Sequence, residues 1–219
     1  MRTLALIAIV AAAAPAAAQH QHAAQDAAHH SEHASPAGWE FRLDRANADR
    51  NAVHFMQMGN GLHFHPGPAA IFYNPSHDRS GAYRVSATFN QTRAPEHPEA
   101  YGLFFGAHNL DQDNQDYMYF LVRGGGQFTV KHRAGNDVHT IVDWTDNAAI
   151  HRQDTDGKAS NELSVDVSPE AITYFVNGTQ VHRIDRATVG HPINTDGTYG
   201  LRVNHNLDVH VEGPQITAR

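Results

Sequence analysis

From Trp39 onward apolar and polar residues alternate with a period of two, and no stretch of about a dozen residues keeps helical periodicity. That alternation confines the chain to β-structure, because successive side chains of a strand face opposite sides of a sheet. Residues 53–58 form one such run, Gly59-Asn60-Gly61 turns the chain, and 62–65 resumes the pattern, which predicts a hairpin. Residues 70–73 predict a short strand stopped by Asn74-Pro75. Further runs cover 83–90, 101–108, 117–123, 127–132, 138–144, 162–167, 171–176, 180–184, 199–204 and 207–211. The runs at 101–108 and 117–123 are dense in aromatic residues, as in strands covered on both faces. Asn177-Gly178 is the strongest hairpin signal, since both residues tolerate positive φ. About thirteen short strands with frequent turns predict an all-β fold, an antiparallel two-sheet sandwich in a single domain at 39–219.

Two segments precede that domain. Residues 1–18 have a positive start at Arg2, an apolar stretch and the small-residue run Ala16-Ala17-Ala18, the pattern of a cleaved signal peptide. A periplasmic or secreted bacterial location is expected, with no membrane span after cleavage. Residues 19–38 carry His20, His22, His29, His30 and His33 among Ala, Gln, Asp and Ser, with no apolar face. Such a segment is expected to be disordered. Its imidazoles suit Cu(II) or Zn(II), or the segment is a solubilising tether. The absence of cysteine excludes disulfides and thiolate sites. A net charge of -7 argues against nucleic acid as a partner.

The motifs Tyr101-Gly102-Leu103-Phe104-Phe105-Gly106, Asn114-Gln115-Asp116-Tyr117-Met118-Tyr119-Phe120, Gly126-Gln127-Phe128-Thr129-Val130-Lys131, Phe175-Val176-Asn177-Gly178 and Gly200-Leu201-Arg202-Val203 run in one order along the second half. This stretch resembles the concanavalin A-like lectin/glucanase superfamily. Within it, the similarity is to the laminin-G-like and 3-keto-disaccharide-hydrolase branch of exported bacterial proteins. The resemblance implies a jelly-roll sandwich of two curved sheets, with lectins, hydrolases and adhesive modules all on the same frame.

Retaining glycosidases of this fold carry E-x-D-x-x-E on one strand, because acid and nucleophile must lie about 5 Å apart. The domain's glutamates, Glu40, Glu96, Glu99, Glu162, Glu170 and Glu212, make no such run. Nucleophile elbows and phosphate loops are also absent from the sequence. A saccharide or small polar ligand would stack on an exposed ring and bond to planar polar groups. Trp144 in a 143–146 loop is the expected exposed ring, with Arg123, Lys131 and Arg133 lining the concave sheet and His205 in a rim network with Asn204 and Asn206. Asp111, Asp113 and Asp116 offer oxygen ligands for Ca(II) at a sandwich rim, or form a solvated acidic turn.

His63 and His65 stand at i and i+2 on a predicted strand, hence on one sheet face. A further ligand could come from His54, His205, Asp208 or His210 to make a copper or zinc site; otherwise the pair is polar surface. Three functions follow: carbohydrate binding through the concave sheet, periplasmic copper or zinc binding by the His-rich tail, or a 3-keto-glycoside hydrolase or lyase. A monomer is expected.

Overall fold

The computed structural model describes residues 35–188 and 193–219. Among these residues fourteen strands, numbered along the chain, form two seven-stranded sheets. The first has the order β1 (Glu40–Leu43), β4 (Ala70–Arg79), β13 (Gly197–Val203), β6 (Ala100–His108), β7 (Asp116–Arg123), β8 (Gln127–Ala134), β9 (Asp137–Asp146). The second runs β12 (Thr179–Asp185), β11 (Ala171–Val176), β10 (Ala159–Val167), β5 (Tyr83–Gln91), β14 (Val209–Ala218), β3 (Gly61–Phe64), β2 (Phe55–Met58). All pairings among these strands are antiparallel. The all-β sandwich expected from the alternation is therefore the fold.

Several strand limits differ from expectation: β1 lies outside the expected runs, and β14 continues to Ala218 and not 211. β4 does not stop at Asn74-Pro75 but continues to Arg79. Its pairing with β13 slips between Thr198 and Gly200, so Pro75 falls in an irregular stretch where a missing N–H costs no ladder bond. Trp144 lies in β9 and not in a loop, because the β8–β9 ladder runs on to Gln127↔Asp146. Residues 35–38, placed in the tail by composition, belong to a turn in which the Trp39 N–H donates to the Pro36 carbonyl at 2.9 Å. The signal peptide and the tail histidines His20, His22, His29, His30 and His33 lie outside the described residues.

The core is the space between the sheets. Phe72, Leu103, Phe105 and Phe120 from the first sheet meet Phe89, Leu163, Tyr174 and Val211 from the second, all buried. Burial of such side chains contributes about 1.5–3 kcal/mol each and sets which face of each strand turns inward. A second apolar cluster lies on the other face of the first sheet: Ile71, Tyr73, Phe104, Tyr117, Tyr119 and Leu121. This second layer explains why β6 and β7 read as nearly continuous aromatic runs.

Candidate functional site

The registers build the outer face of the first sheet row by row. Tyr73 is opposite Glu40 and Gly200, Gly200 opposite Phe104, Phe104 opposite Tyr119, and Tyr119 opposite Lys131. Directly opposed residues share a face. The next row contains Arg42, Ile71, Arg202, Gly102, Leu121 and Thr129. Arg133 is opposite Tyr117 and Arg123 opposite Gln127. Arg123 on β7 and Lys131 and Arg133 on β8 thus share the outward face of this sheet. Gly200 has a steric reason: a Cβ there would lie 2.6 Å from Phe104 Cε1 and 2.3 Å from the Phe72 carbonyl oxygen. Its absence leaves room for the Phe104 ring.

Arg202 is the cation at the centre of this face, and it is buried. Its Nη1 donates to Asp44 Oδ1 at 2.6 Å, and its Nη2 donates to Asp44 Oδ2. The guanidinium lies over the Tyr119 ring, 4.6 Å from the centroid, with Nη1 donating to the Tyr117 hydroxyl at 3.4 Å. Burial alone would raise the Asp44 carboxyl, but Arg202, helped by Arg133 and Arg45, holds it below its ordinary value. Burial would likewise lower Arg202; Asp44 and the two tyrosines outweigh it.

Asp44 follows β1, so this ion pair fastens the chain that leaves that strand. Arg133 adds to the fastening: its Nη2 donates to the Asp44 carbonyl at 3.4 Å and its Nε to the Gly135 carbonyl at 2.9 Å. Arg42 Nη1 donates to the Leu110 carbonyl at 2.8 Å and ties β1 to the turn before β7. These ties wall a cleft of about 490 Å³ lined by Phe41, Arg42, Asp44, Arg50, Tyr73, Asp111, Asp113, Gln115, Arg133 and Asn136. The Tyr73 hydroxyl is pushed up to about 12 by burial and by Glu40 beside it, so it stays protonated and able to donate.

Asp44 and Ala48 also line a neighbouring cleft of about 350 Å³ with Arg45, Glu99, Asn204 and His205. There His205 Nε2 lies 2.9 Å from Glu99 Oε1. Burial raises the Glu99 carboxyl above its ordinary value, and His205 and Asn204 offset only part of that.

Other expected site residues are placed as follows. Arg123 lies over the Trp144 ring at 4.4 Å and donates from Nε to Gln127 Oε1 at 2.7 Å, so the ring carries a cation and is half-buried. His205 meets Glu99, which also bonds the Asn204 side chain, so Glu99 joins the two. Asp111 and Asp113 line the cleft, whereas the Asp116 carboxylate meets His132 Nε2 at 3.1 Å. Among the described residues, the group with three or more His, Asp or Glu ligand atoms within 4.8 Å of one another is His63, His65 and Asp208; the three aspartates do not form one. His63 is buried, and burial lowers its imidazole below the usual value, against the pull of Asp208. Asp44 and Arg202 were not recognisable as site residues from sequence. The one available signal was Arg202 standing two residues from Gly200, on the outward phase of a strand.

No family model matches the sequence, and no curated protein does. Solved structures are similar in fold. The carbohydrate binding module CBM66 from Bacillus subtilis superposes with a TM-score of 0.60 at 10% identity, covering 83% of this chain and 96% of that one. A glycoside hydrolase family 16 endo-glucanase from Bacteroides ovatus gives 0.57 at 11% identity, over 84% and 96%. A Bacillus subtilis protein of unknown function with a galectin-like fold gives 0.55 at 15% identity, over 83% and 90%. The chain therefore has the concanavalin A-like jelly-roll fold.

Proposed function

We propose that this chain is an exported saccharide-binding sandwich and that its site is the cleft beside β1. The cleft carries the reading. Its volume of about 490 Å³ falls within the range of about 300–1,000 Å³ that small-molecule sites occupy. Arg42, Arg50 and Arg133 line it together with Asp44, Asp111 and Asp113, so cations and anions balance. Guanidinium and carboxylate groups are planar and two-pronged, and they match the paired hydroxyls of a sugar ring. A balanced set favours a neutral polyhydroxyl ligand over a polyanion. Tyr73, buried in the apolar cluster of this face, lines the cleft and keeps its hydroxyl available as a donor. The fold neighbours named as a carbohydrate binding module and an endo-glucanase support a saccharide ligand, and residues 1–18 support export.

The full chain is tested on a glycan array, with hits measured by calorimetry. One class of neutral saccharide binds, and the Asp111→Ala/Asn136→Ala pair weakens it by about tenfold or more. Silence across the array refutes the reading; binding that survives the double variant refutes the site.

A further inference from the structure

The outer face of the second sheet carries a cluster that the cleft does not use. β3 holds His63, and His65 follows two residues on; β14 sets His210 opposite His63, with Asp208 two residues earlier. Because Leu62, Phe64 and Val209 turn into the core, these four side chains share the outward phase. His63 and His65 rings meet edge to face at 4.7 Å, and His63 and His210 stack at 6.2 Å. Gly61 makes this possible: a Cβ there would lie 2.9 Å from His210 Nε2 and 2.3 Å from the Val211 carbonyl oxygen.

His63 Nε2 lies 3.2 Å from Asp208 Oδ1. Around an ion with bonds of about 2.0 Å, neighbouring ligand atoms lie about 2.8 Å apart in a square plane and about 3.3 Å apart in a tetrahedron, so the pair needs a shift of only a few tenths of an ångström at most to serve as two ligands. The carboxylate is oriented from behind. The Thr92 hydroxyl donates to Oδ1, and Arg93 Nε lies 3.3 Å from Oδ2. Such outer contacts orient metal ligands.

Strand β2 adds a soft donor beside the cluster. Met56 is opposite His63, and Met58 is opposite Gly61. Both are exposed, at 44% and 46%, whereas Met118 is buried in the core. Two flexible thioethers held in solvent next to imidazoles are poor packing but good soft ligands.

We propose that His63, His65 and Asp208 bind a copper ion, with the Met56 thioether as a neighbouring donor. Two imidazoles and one carboxylate supply nitrogen and oxygen for Cu(II), which binds such sets more tightly than Zn(II) does. The thioether suits Cu(I). A single carboxylate among imidazoles is a poor set for Ca(II) or Mg(II), which take oxygen ligands.

The His-rich segment would bind copper too, so the test uses the full chain with His20, His22, His29, His30 and His33 changed to Asn. After Cu(II) loading and desalting, this protein retains one copper per chain, and its electron paramagnetic resonance spectrum shows nitrogen coupling. His65→Gln and Asp208→Asn each reduce retention by about tenfold or more, with circular dichroism unchanged. If a variant unfolds, the nitrogen coupling in its parent decides the matter. Met56→Leu leaves Cu(II) retention unchanged and lowers that of Cu(I). The proposal fails if the tail-silenced protein retains no copper, if both folded variants retain it fully, or if equimolar Zn(II) displaces it. Equal Cu(I) retention in Met56→Leu removes the thioether from the site.

Discussion

Arg202 and Asp44, 158 residues apart in sequence, form a two-pronged ion pair on the outer face of the first sheet. The pair joins the end of β1 to the centre of the sheet and fixes the wall shared by both clefts. Removing one partner leaves the other charge buried, which typically costs about 3–5 kcal/mol. Asp44→Ala is expected near the low end, about 3 kcal/mol, because its side chain is 21% exposed. Urea unfolding measures this; a loss below about 1 kcal/mol would place the pair among ordinary surface ion pairs.

Stability should fall as pH drops through the imidazole range. Burial lowers His77 and His182 below their ordinary value of 6.5. The unfolded chain therefore takes up these protons first, and stability present above 6.5 is lost as pH falls toward the folded values. Glu99 acts in the opposite sense. Its raised carboxyl keeps a proton in the folded state above 4.5, so its contribution grows on acidification. Urea midpoints at and below pH 6.5 check the histidines, where His182→Gln flattens the decline; midpoints measured from pH 4.5 upward check Glu99, where Glu99→Gln removes the gain on acidification. A pH profile that neither variant changes contradicts the assignment.

Gly200 and Gly125 should respond differently to alanine. At Gly200 the new methyl meets the Phe72 carbonyl and the Phe104 ring, and mid-sheet backbone cannot move aside, so overpacking of about 1–3 kcal/mol follows. At Gly125 nothing lies within 4 Å, and the change stays within about 0.5 kcal/mol. Thermal unfolding of the two variants side by side decides it; equal effects would mean that close approach is not what requires Gly200.

Asn161 is buried and fully bonded. Its Nδ2 donates to the Tyr101 hydroxyl at 3.1 Å and the His151 carbonyl at 3.0 Å, while its Oδ1 accepts from the His151 N–H at 2.8 Å and from Asn177 Nδ2 at 2.9 Å. Asn161→Ala orphans several of these groups at about 1–3 kcal/mol for each one left dry. A total loss of about 3 kcal/mol by chemical denaturation is the expected result, and a neutral variant would contradict it.

The sandwich was legible because period two and turn residues are local signals. Asn177-Gly178 illustrates this: both residues have positive φ, and the hairpin falls where the dipeptide predicts. The slip at Pro75 was not legible, because it depends on the register of β13, over a hundred residues away. The same holds for the sites. His63 and His65 share a face by spacing alone, but Asp208 reaches them only through the β3–β14 register. Arg202 reads as an ordinary outward arginine until Asp44 is brought to it from the other end of the domain. Local alternation names a side chain's face and leaves its neighbours to topology.

The most direct test is a crystal structure of the full chain with its strongest saccharide hit. The sugar should lie beside β1, within hydrogen-bonding distance of Arg133 and Asp111. A sugar on any other surface would contradict the account.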